Sequence, residues 1–260
     1  RLPEIYLFTS EMKIAITAHN IKKAFNNTEV FQDFSIDVEE GAITAIIGPN
    51  GCGKSTLLNI LAGVTACDSG NYHIEGFDQF EFSYIFQNYR ESLLPWRTNF
   101  ENVALPLEIQ GKKRGEIRKK IEELQRIFEL EIDWEGYPYE LSGGQQQILA
   151  FVRALVVEPK VLFIDEPFSA LDYENNLRLR EHLQKYFCAF KPTIVLITHN
   201  IEEATHCASK VLVLSKKPTN IIEKIDVLLP YPRTIQDLKT EQFHQVKNQV
   251  LSSFQKVTNI

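Results

Sequence analysis

Residues 42–47 read Ala-Ile-Thr-Ala-Ile-Ile and run straight into Gly48-Pro49-Asn50-Gly51-Cys52-Gly53-Lys54-Ser55-Thr56, and the reading of this stretch decides the fold. The largely apolar run has the length and β-branched character of a buried strand. The segment from Gly48 to Ser55 fits G-x-x-x-x-G-K-[ST]. Residues without Cβ tolerate positive φ and close approach, so consecutive backbone N–H groups can curl around an oxyanion. A helix starting near Lys54 aims its positive end at the same charge. Lys54 adds a point charge, and the Ser55 hydroxyl can hold Mg²⁺. A glycine turn that merely precedes a helix would match this order of strand, loop and helix only by coincidence. The stretch implies a site for the phosphates of a nucleoside triphosphate.

The rest of the chain bounds what such a site can serve. With 260 residues, 44% of them hydrophobic and 24% charged, it has room for one α/β domain carrying a subdomain. No apolar run approaches the ~18 residues needed to cross a bilayer, so any membrane role has to run through a partner. A net charge of -6 provides none of the basic footprint that a phosphate backbone demands, which argues against nucleic acid. Cys52, Cys67, Cys188 and Cys207 show neither C-x-x-C nor metal-ligand spacing and point to a reducing cytosol. The only methionine is Met12, so residues 1–11 read as an upstream extension or a cloning remnant.

Working outward, residues 13–17 and 34–38 alternate apolar with polar side chains around an Asn26-Asn27 turn, which predicts an antiparallel β opening. A helix is expected over 54–62, with short strands at 72–74 and 84–86. A helical insert follows, in which Ile117, Ile121, Leu124 and Phe128 place one apolar stripe on a charged helix. The run Lys112-Lys113-Arg114 with Arg118, Lys119 and Lys120 is interleaved with Glu116, Glu122 and Glu123, and reads as a solvated face rather than an anion site. Strand 161–164, helix 173–190 and strand 193–197, followed by another helix and strand, have the rhythm of a parallel sheet with crossover helices. The tail offers a strand-like stretch at 221–229, closed by Pro230 and Pro232, and an amphipathic helix over about 235–254. The expected division is 1–11 extension, 12–233 core with a helical subdomain inserted over about 88–156, and 234–260 tail.

Two further elements carry chemistry. A buried strand ending at Asp165 delivers that carboxylate to the edge of the phosphate loop, where it can hold Mg²⁺. Adjacent strand residues face opposite sides, so Glu166 is free to orient or deprotonate an attacking water. A strand ending in a solvated acidic turn is the plain alternative. The second element is Leu141-Ser142-Gly143-Gly144-Gln145, with Ser142 suited to cap a helix whose apolar face includes Ile148, Leu149, Val152 and Leu155. Its bare N-terminal donors form another anion-facing end, although taken alone Ser-Gly-Gly is equally an ordinary loop.

Together these residues resemble the ATP-binding-cassette (ABC) family, whose signature is L-S-G-G-Q and whose order is phosphate loop, glutamine loop, signature, acidic strand, histidine loop. The resemblance covers residues 12 to about 233. It implies an α/β P-loop NTPase core with a parallel sheet and crossover helices, an N-terminal antiparallel β subdomain and an inserted α-helical subdomain. It further implies an ATPase working as a homodimer, in which the signature of one chain, Leu141 to Gln145, closes on the ATP and Mg²⁺ held by the phosphate loop of the other. The match carries over Gln87 as a ligand of Mg²⁺ and water beside Ser55 and Asp165, and Glu166, His199, Gln87 and Lys54 as the catalytic set. Asp172 matches the loop that joins the two sites across the dimer. Phe25 falls where an aromatic stacks on adenine, with core packing as its alternative. Ile148 departs from the family's frequent arginine. Asn200 replaces an aspartate but still suits an N-cap, with Glu203 expected to complete a capping box. The segment between Gly76 and Tyr84 is short, which leaves strand pairing there open.

Leu93-Leu94-Pro95-Trp96 after Gln87, and Pro218-Thr219-Asn220-Ile221-Ile222 leading to Leu229-Pro230-Tyr231-Pro232-Arg233, are similar to the cassettes of bacterial importers for nitrate, sulfonates, taurine and bicarbonate. That likeness implies a peripheral subunit on the cytoplasmic face of the inner membrane, docked on integral membrane permease subunits and served indirectly by a solute-binding protein. Leu93 to Trp96 is then an exposed apolar surface for a permease helix, or else ordinary packing of the helical subdomain. Rival readings are an exporter's ATPase, a cassette of DNA maintenance or translation, and a regulatory nucleotide-binding module. The transported ligand is not legible in these residues.

Overall fold

The computed structural model describes residues 13–75, 81–169 and 171–258, with Tyr89 and Arg90 described by their backbone alone; expectations for residues 1–12 and 76–80 lie outside this range. Strands β1 (Ile14–Phe25) and β2 (Thr28–Glu39) form an antiparallel hairpin. Its tip is Asn26 and Asn27, at φ 46° and 62°, the residue type that after glycine best tolerates left-handed positions. Both strands outrun the segments that alternation marks, because shifts of register along β1 interrupt the period of two. β4 (Ser69–Ile74) pairs antiparallel on the other side of β1, completing the sheet β2-β1-β4.

A second sheet of six strands among the described residues contains β3 (Ile43–Ile47), β5 (Phe82–Ile85), β6 (Val161–Asp165), β7 (Thr193–Ile197), β8 (Lys210–Leu214) and β9 (Ile221–Asp226), in the order β5-β6-β7-β3-β8-β9. The first five run parallel, and β9 is an antiparallel edge. The central strands are apolar at nearly every position because both faces are covered. Ile46, Phe163, Val195 and Ile197 face a core shared with β1, β2 and α1 (Lys54–Leu61). Ile47, Ile164, Leu196 and Val213 face the other core, shared with α5 (Gly143–Leu155), α6 (Tyr173–Phe190) and α7 (Ile201–Cys207).

Between β5 and β6 lies the helical insert: α2 (Tyr89–Ser92), α3 (Asn99–Ile109), α4 (Arg114–Phe128) and α5. The α4 stripe Ile117, Ile121, Leu124 and Phe128 is buried as its spacing predicts. The tail departs from expectation. β9 stops at Asp226, and helix α8 (Glu241–Thr258) starts only after a 3₁₀ turn at Asp237–Lys239. The intervening residues are fixed by Arg233, whose fully buried guanidinium donates to the carbonyls of Thr205, His206 and Ala208 at the end of α7 and of Val227 and Leu229. The carbonyls of Val227 and Leu229, just past the end of β9, are thereby taken up by a side chain rather than by a neighbouring strand. No helix among the described residues is long and apolar enough to cross a membrane.

Candidate nucleotide site

β5, β6, β7 and β3 are neighbours and run parallel, so their carboxyl ends line one edge of the sheet. The segments leaving that edge carry Gln87, Asp165 with Glu166, His199 and the loop 48–56, and the crevice beyond such strand ends is where open α/β sheets bind ligands.

Within the loop, Gly53 sits at φ 114° ahead of α1, and a Cβ there would lie 2.5 Å from Val30 Cγ1. Glycine is required both by the backbone angle and by the strand beneath it. No side chain caps α1, so its first N–H groups remain available to an anion. The buried Lys54 ammonium donates to the carbonyls of Gly48 at 3.0 Å and Pro49 at 3.2 Å. Thr219 hydrogen-bonds from its hydroxyl to the Cys52 carbonyl and from its backbone N–H to Val30 at 2.8 Å, so the 218–222 stretch braces the loop from outside. Cys52 itself is buried, and burial pushes its thiol up.

Burial likewise raises the carboxyl of Asp165, with Glu166 adding to the rise, while a hydrogen bond from Ser55 and the Lys54 charge pull it back. Its Oδ1 is buried without a partner. An orphaned carboxylate oxygen beside a hydroxyl is a hard oxygen donor set, and it fits Mg²⁺.

Glu166 lies just past β6 at φ 45°, with its N–H on the Ile197 carbonyl at 3.0 Å. That twist swings its carboxylate away from Ser55 to Gln87 and His199. Oε2 accepts from Gln87 Nε2 at 3.1 Å and meets His199 Nδ1 at 3.2 Å. Because the carboxylate is the acceptor, the proton of this contact belongs on Nδ1, which leaves Nε2 for a further partner. Three residues far apart in sequence thus converge as their order suggests.

The remaining candidates sit elsewhere. Ser142 caps α5, accepting from Gln145 N–H at 3.3 Å, while Gln145 Oε1 accepts from Ser142 N–H at 2.9 Å. Leu141 and Gly143 flank this cap, and a Cβ on Gly144 would come within 2.9 Å of Asn175 in the first turn of α6. Asp172 caps α6 through Asn175 N–H at 2.9 Å, and the Asn175 hydrogen bonds hold its carboxyl low. Two helix N-termini therefore lie side by side. Phe25, at the end of β1, is 47% exposed, which sets aside core packing, and Lys23 Nζ lies 5.1 Å over its ring.

Two expectations are corrected. Leu93 belongs to the core, so the exposed part of the 93–96 segment is Pro95 and Trp96, the latter at 72%. Asn200 does cap α7, accepting from the N–H groups of Glu202 and Glu203, but Glu203 completes no capping box. It turns inward to the Thr198 hydroxyl and Asn176. The bracing role of Thr219 and the inward turn of Glu203 carry no local sequence signal, since both depend on segments brought together by the fold.

The family model described as ABC transporter matches residues 31–169. The aliphatic sulfonates import ATP-binding protein SsuB of Bacillus licheniformis is 36% identical over 248 residues, covering 94% of each chain. The sulfate/thiosulfate import ATP-binding protein CysA of Pseudomonas aeruginosa is 39% identical over 225 residues, 82% of this chain and 66% of that one. Among solved structures, a dimeric bacterial ABC transporter cassette superposes with a TM-score of 0.71 at 28% identity, covering 82% of this chain and 98% of that one. A post-hydrolysis dimer bound to ADP and Pi gives 0.70 at 27% identity.

Proposed function

The chain belongs to the ABC transporter family, and from that premise we propose that it is the ATPase of a bacterial importer for small oxyanions of the sulfonate, nitrate, taurine or bicarbonate kind. The relatives named for sulfonates and for sulfate or thiosulfate favour a sulfur oxyanion within that class.

In this reading adenine stacks on Phe25, and the phosphates lie in the loop 48–56, where Lys54 exchanges the Gly48 and Pro49 carbonyls for phosphate oxygens. Ser55, Asp165 and Gln87 would hold Mg²⁺, which supplies positive charge to those oxygens when bound. Glu166 receives a proton from the water whose oxygen attacks the γ-phosphorus as the bond to the β-phosphate bridging oxygen breaks, releasing ADP and phosphate. His199, oriented by Glu166 through Nδ1, turns Nε2 toward the γ-phosphate, whose oxygens it can meet only as a donor, with an N–H on Nε2 as well as on Nδ1. The partner chain closes the pocket with its own signature, and closure draws the permease halves together. Pro95 and Trp96 are the surface offered to a permease helix. Such a subunit is peripheral to the cytoplasmic face of the inner membrane, with ligand delivered outside by a solute-binding protein.

The observation that carries this reading is the Glu166 carboxylate, held between Gln87 and His199 at the strand edge where the phosphate loop opens. Glu166→Gln keeps the shape and removes the base, so nucleotide binding should persist while turnover falls on the order of 10²–10⁴-fold. Hydrolysis at the wild-type rate would refute the assignment. Uptake by vesicles containing the matching permease, compared for sulfonate and sulfate, separates the ligand classes.

A further inference from the structure

Glu203 is a carboxylate only 5% exposed, placed in the first turn of α7 and used by none of the steps above. Its Oε2 accepts from the Thr198 hydroxyl, and that hydroxyl oxygen accepts from Asn200 N–H at 3.0 Å, closing the turn that carries His199. Its Oε1 accepts from Asn176 Nδ2 at 2.9 Å, and the same amide nitrogen lies 3.3 Å from the Phe168 carbonyl, two residues beyond Glu166. One side chain is thus tied to both turns whose side chains meet at the 3.2 Å contact between His199 and Glu166.

We propose that Glu203 is a positioning residue for hydrolysis, a buried clamp that fixes the spacing of His199 and Glu166 through Thr198 on one side and Asn176 on the other. The inference rests on the catalytic roles proposed for those two residues.

The chemistry of the clamp is specific. Both carboxylate oxygens act as acceptors, and both partners are donors. Glu203→Gln preserves volume but turns one oxygen into an NH₂ group, which cannot accept from Thr198 or Asn176. A polar group of this kind, left mismatched in a dry interior, relaxes by shifting a turn. Misplacement by about an ångström at a reacting centre can cost on the order of 10²-fold in rate. Asn176 also follows the Asp172 cap on α6, so the clamp connects the histidine turn to the helix that starts at the proposed dimer contact.

The experiment compares Glu203→Gln, Thr198→Val and Thr198→Ser in the full chain. It measures melting temperature, ATP affinity, the split of kcat and KM, and backbone hydrogen exchange in peptides spanning 166–172 and 198–203. The clamp predicts a fall in kcat of on the order of tenfold or more for Glu203→Gln and Thr198→Val, with KM for ATP and nucleotide affinity little changed. Thr198→Ser, which keeps the hydroxyl, should restore the rate. Exchange should quicken in both peptides together, a readout that does not require turnover. Combination with His199→Ala should add little further loss, because the two changes remove the same arrangement. Glu203→Gln chains that are folded, exchange like wild type and turn over at the wild-type rate would overturn the clamp. A variant that only melts lower, with kcat per folded molecule intact and Thr198→Ser no better than Thr198→Val, would overturn it equally. If Glu166→Gln and His199→Ala themselves leave hydrolysis untouched, it is the catalytic reading that fails, and quickened exchange in the two turns would still report the clamp.

Discussion

At the scale of single residues, neighbours in sequence part company because the strand ends between them. Asp165 is the last residue of β6 and keeps its strand orientation toward Ser55, whereas Glu166 adopts φ 45° and reaches Gln87 and His199. Gly53 shows the same dependence on backbone. Gly53→Ala would place its methyl 2.5 Å from Val30 Cγ1 at an angle that L-residues avoid, so a loss of about 3 kcal/mol, or on the order of 8 °C in melting temperature, is expected by calorimetry. Phe25 acts on ligand rather than fold. Phe25→Ala should weaken ATP binding about tenfold with melting unchanged, and Phe25→Tyr should keep the affinity, as titration with a fluorescent ATP analogue would report. Gly53, Asp165 and Glu166 were legible in the sequence because each belongs to a local pattern, a loop motif or a strand end, whereas Phe25 came only with the family resemblance. Glu203 was not, since its spacing from Asn200 fits a capping box equally well, and only the presence of Asn176 and the Thr198 hydroxyl on the inner side decides its direction.

At the scale of elements, α6 and α7 bury cationic and imidazole groups that alternation alone does not reveal. The helix range 173–190 follows from its pattern, but that His182 stacks on Phe128 at 5.1 Å and that His206 meets the edge of Phe243 depends on the helical insert and on α8. Burial drives both imidazoles down to about 4, assisted by Lys185 and Arg178 at His182 and by Arg180 at His206. Both are neutral when folded and bind protons near their ordinary 6.5 when unfolded, so the unfolded chain takes up more protons between those values. Stability is therefore at its full value above pH 6.5, falls as pH drops from 6.5 toward 4, and levels below that, with each histidine responsible for at most about 3 kcal/mol. Urea unfolding across this window should show the loss, and His182→Gln should make the slope shallower. Arg233 governs a junction. Its five carbonyl partners tie the end of α7 to the segment after β9, so Arg233→Met should cost about 3 kcal/mol and loosen α8 in hydrogen exchange, with the P-loop region unaffected. The late start of α8 has a local origin: Thr234 donates from its N–H and hydroxyl to the Asp237 carboxylate and the chain makes a 3₁₀ turn at Asp237–Lys239, which periodicity that begins at Ile235 does not foresee.

At the scale of the whole molecule, one chain holds two anion-facing ends in different places: the phosphate loop at the carboxyl edge of β3, and the Ser142 cap of α5 beside the Asp172 cap of α6. The second end is built from the helical insert and is braced by its own side chains, with Gln145 on Ser142 and Gln146 on the Pro138 carbonyl at 2.9 Å. In the proposed two-fold pair each such end lies on its twin's nucleotide. The pairing has an outcome that a single-chain site cannot produce. Chains carrying Lys54→Ala lack a working phosphate loop, and chains carrying Ser142→Arg lack a working signature, so each alone should be inactive. In a mixed dimer the intact loop of one meets the intact signature of the other, and random pairing restores about a quarter of the sites. Phosphate release from an equimolar mixture, with the permease present, is the measurement. A mixture no more active than its components would assign each nucleotide to a single chain and remove the head-to-tail pair.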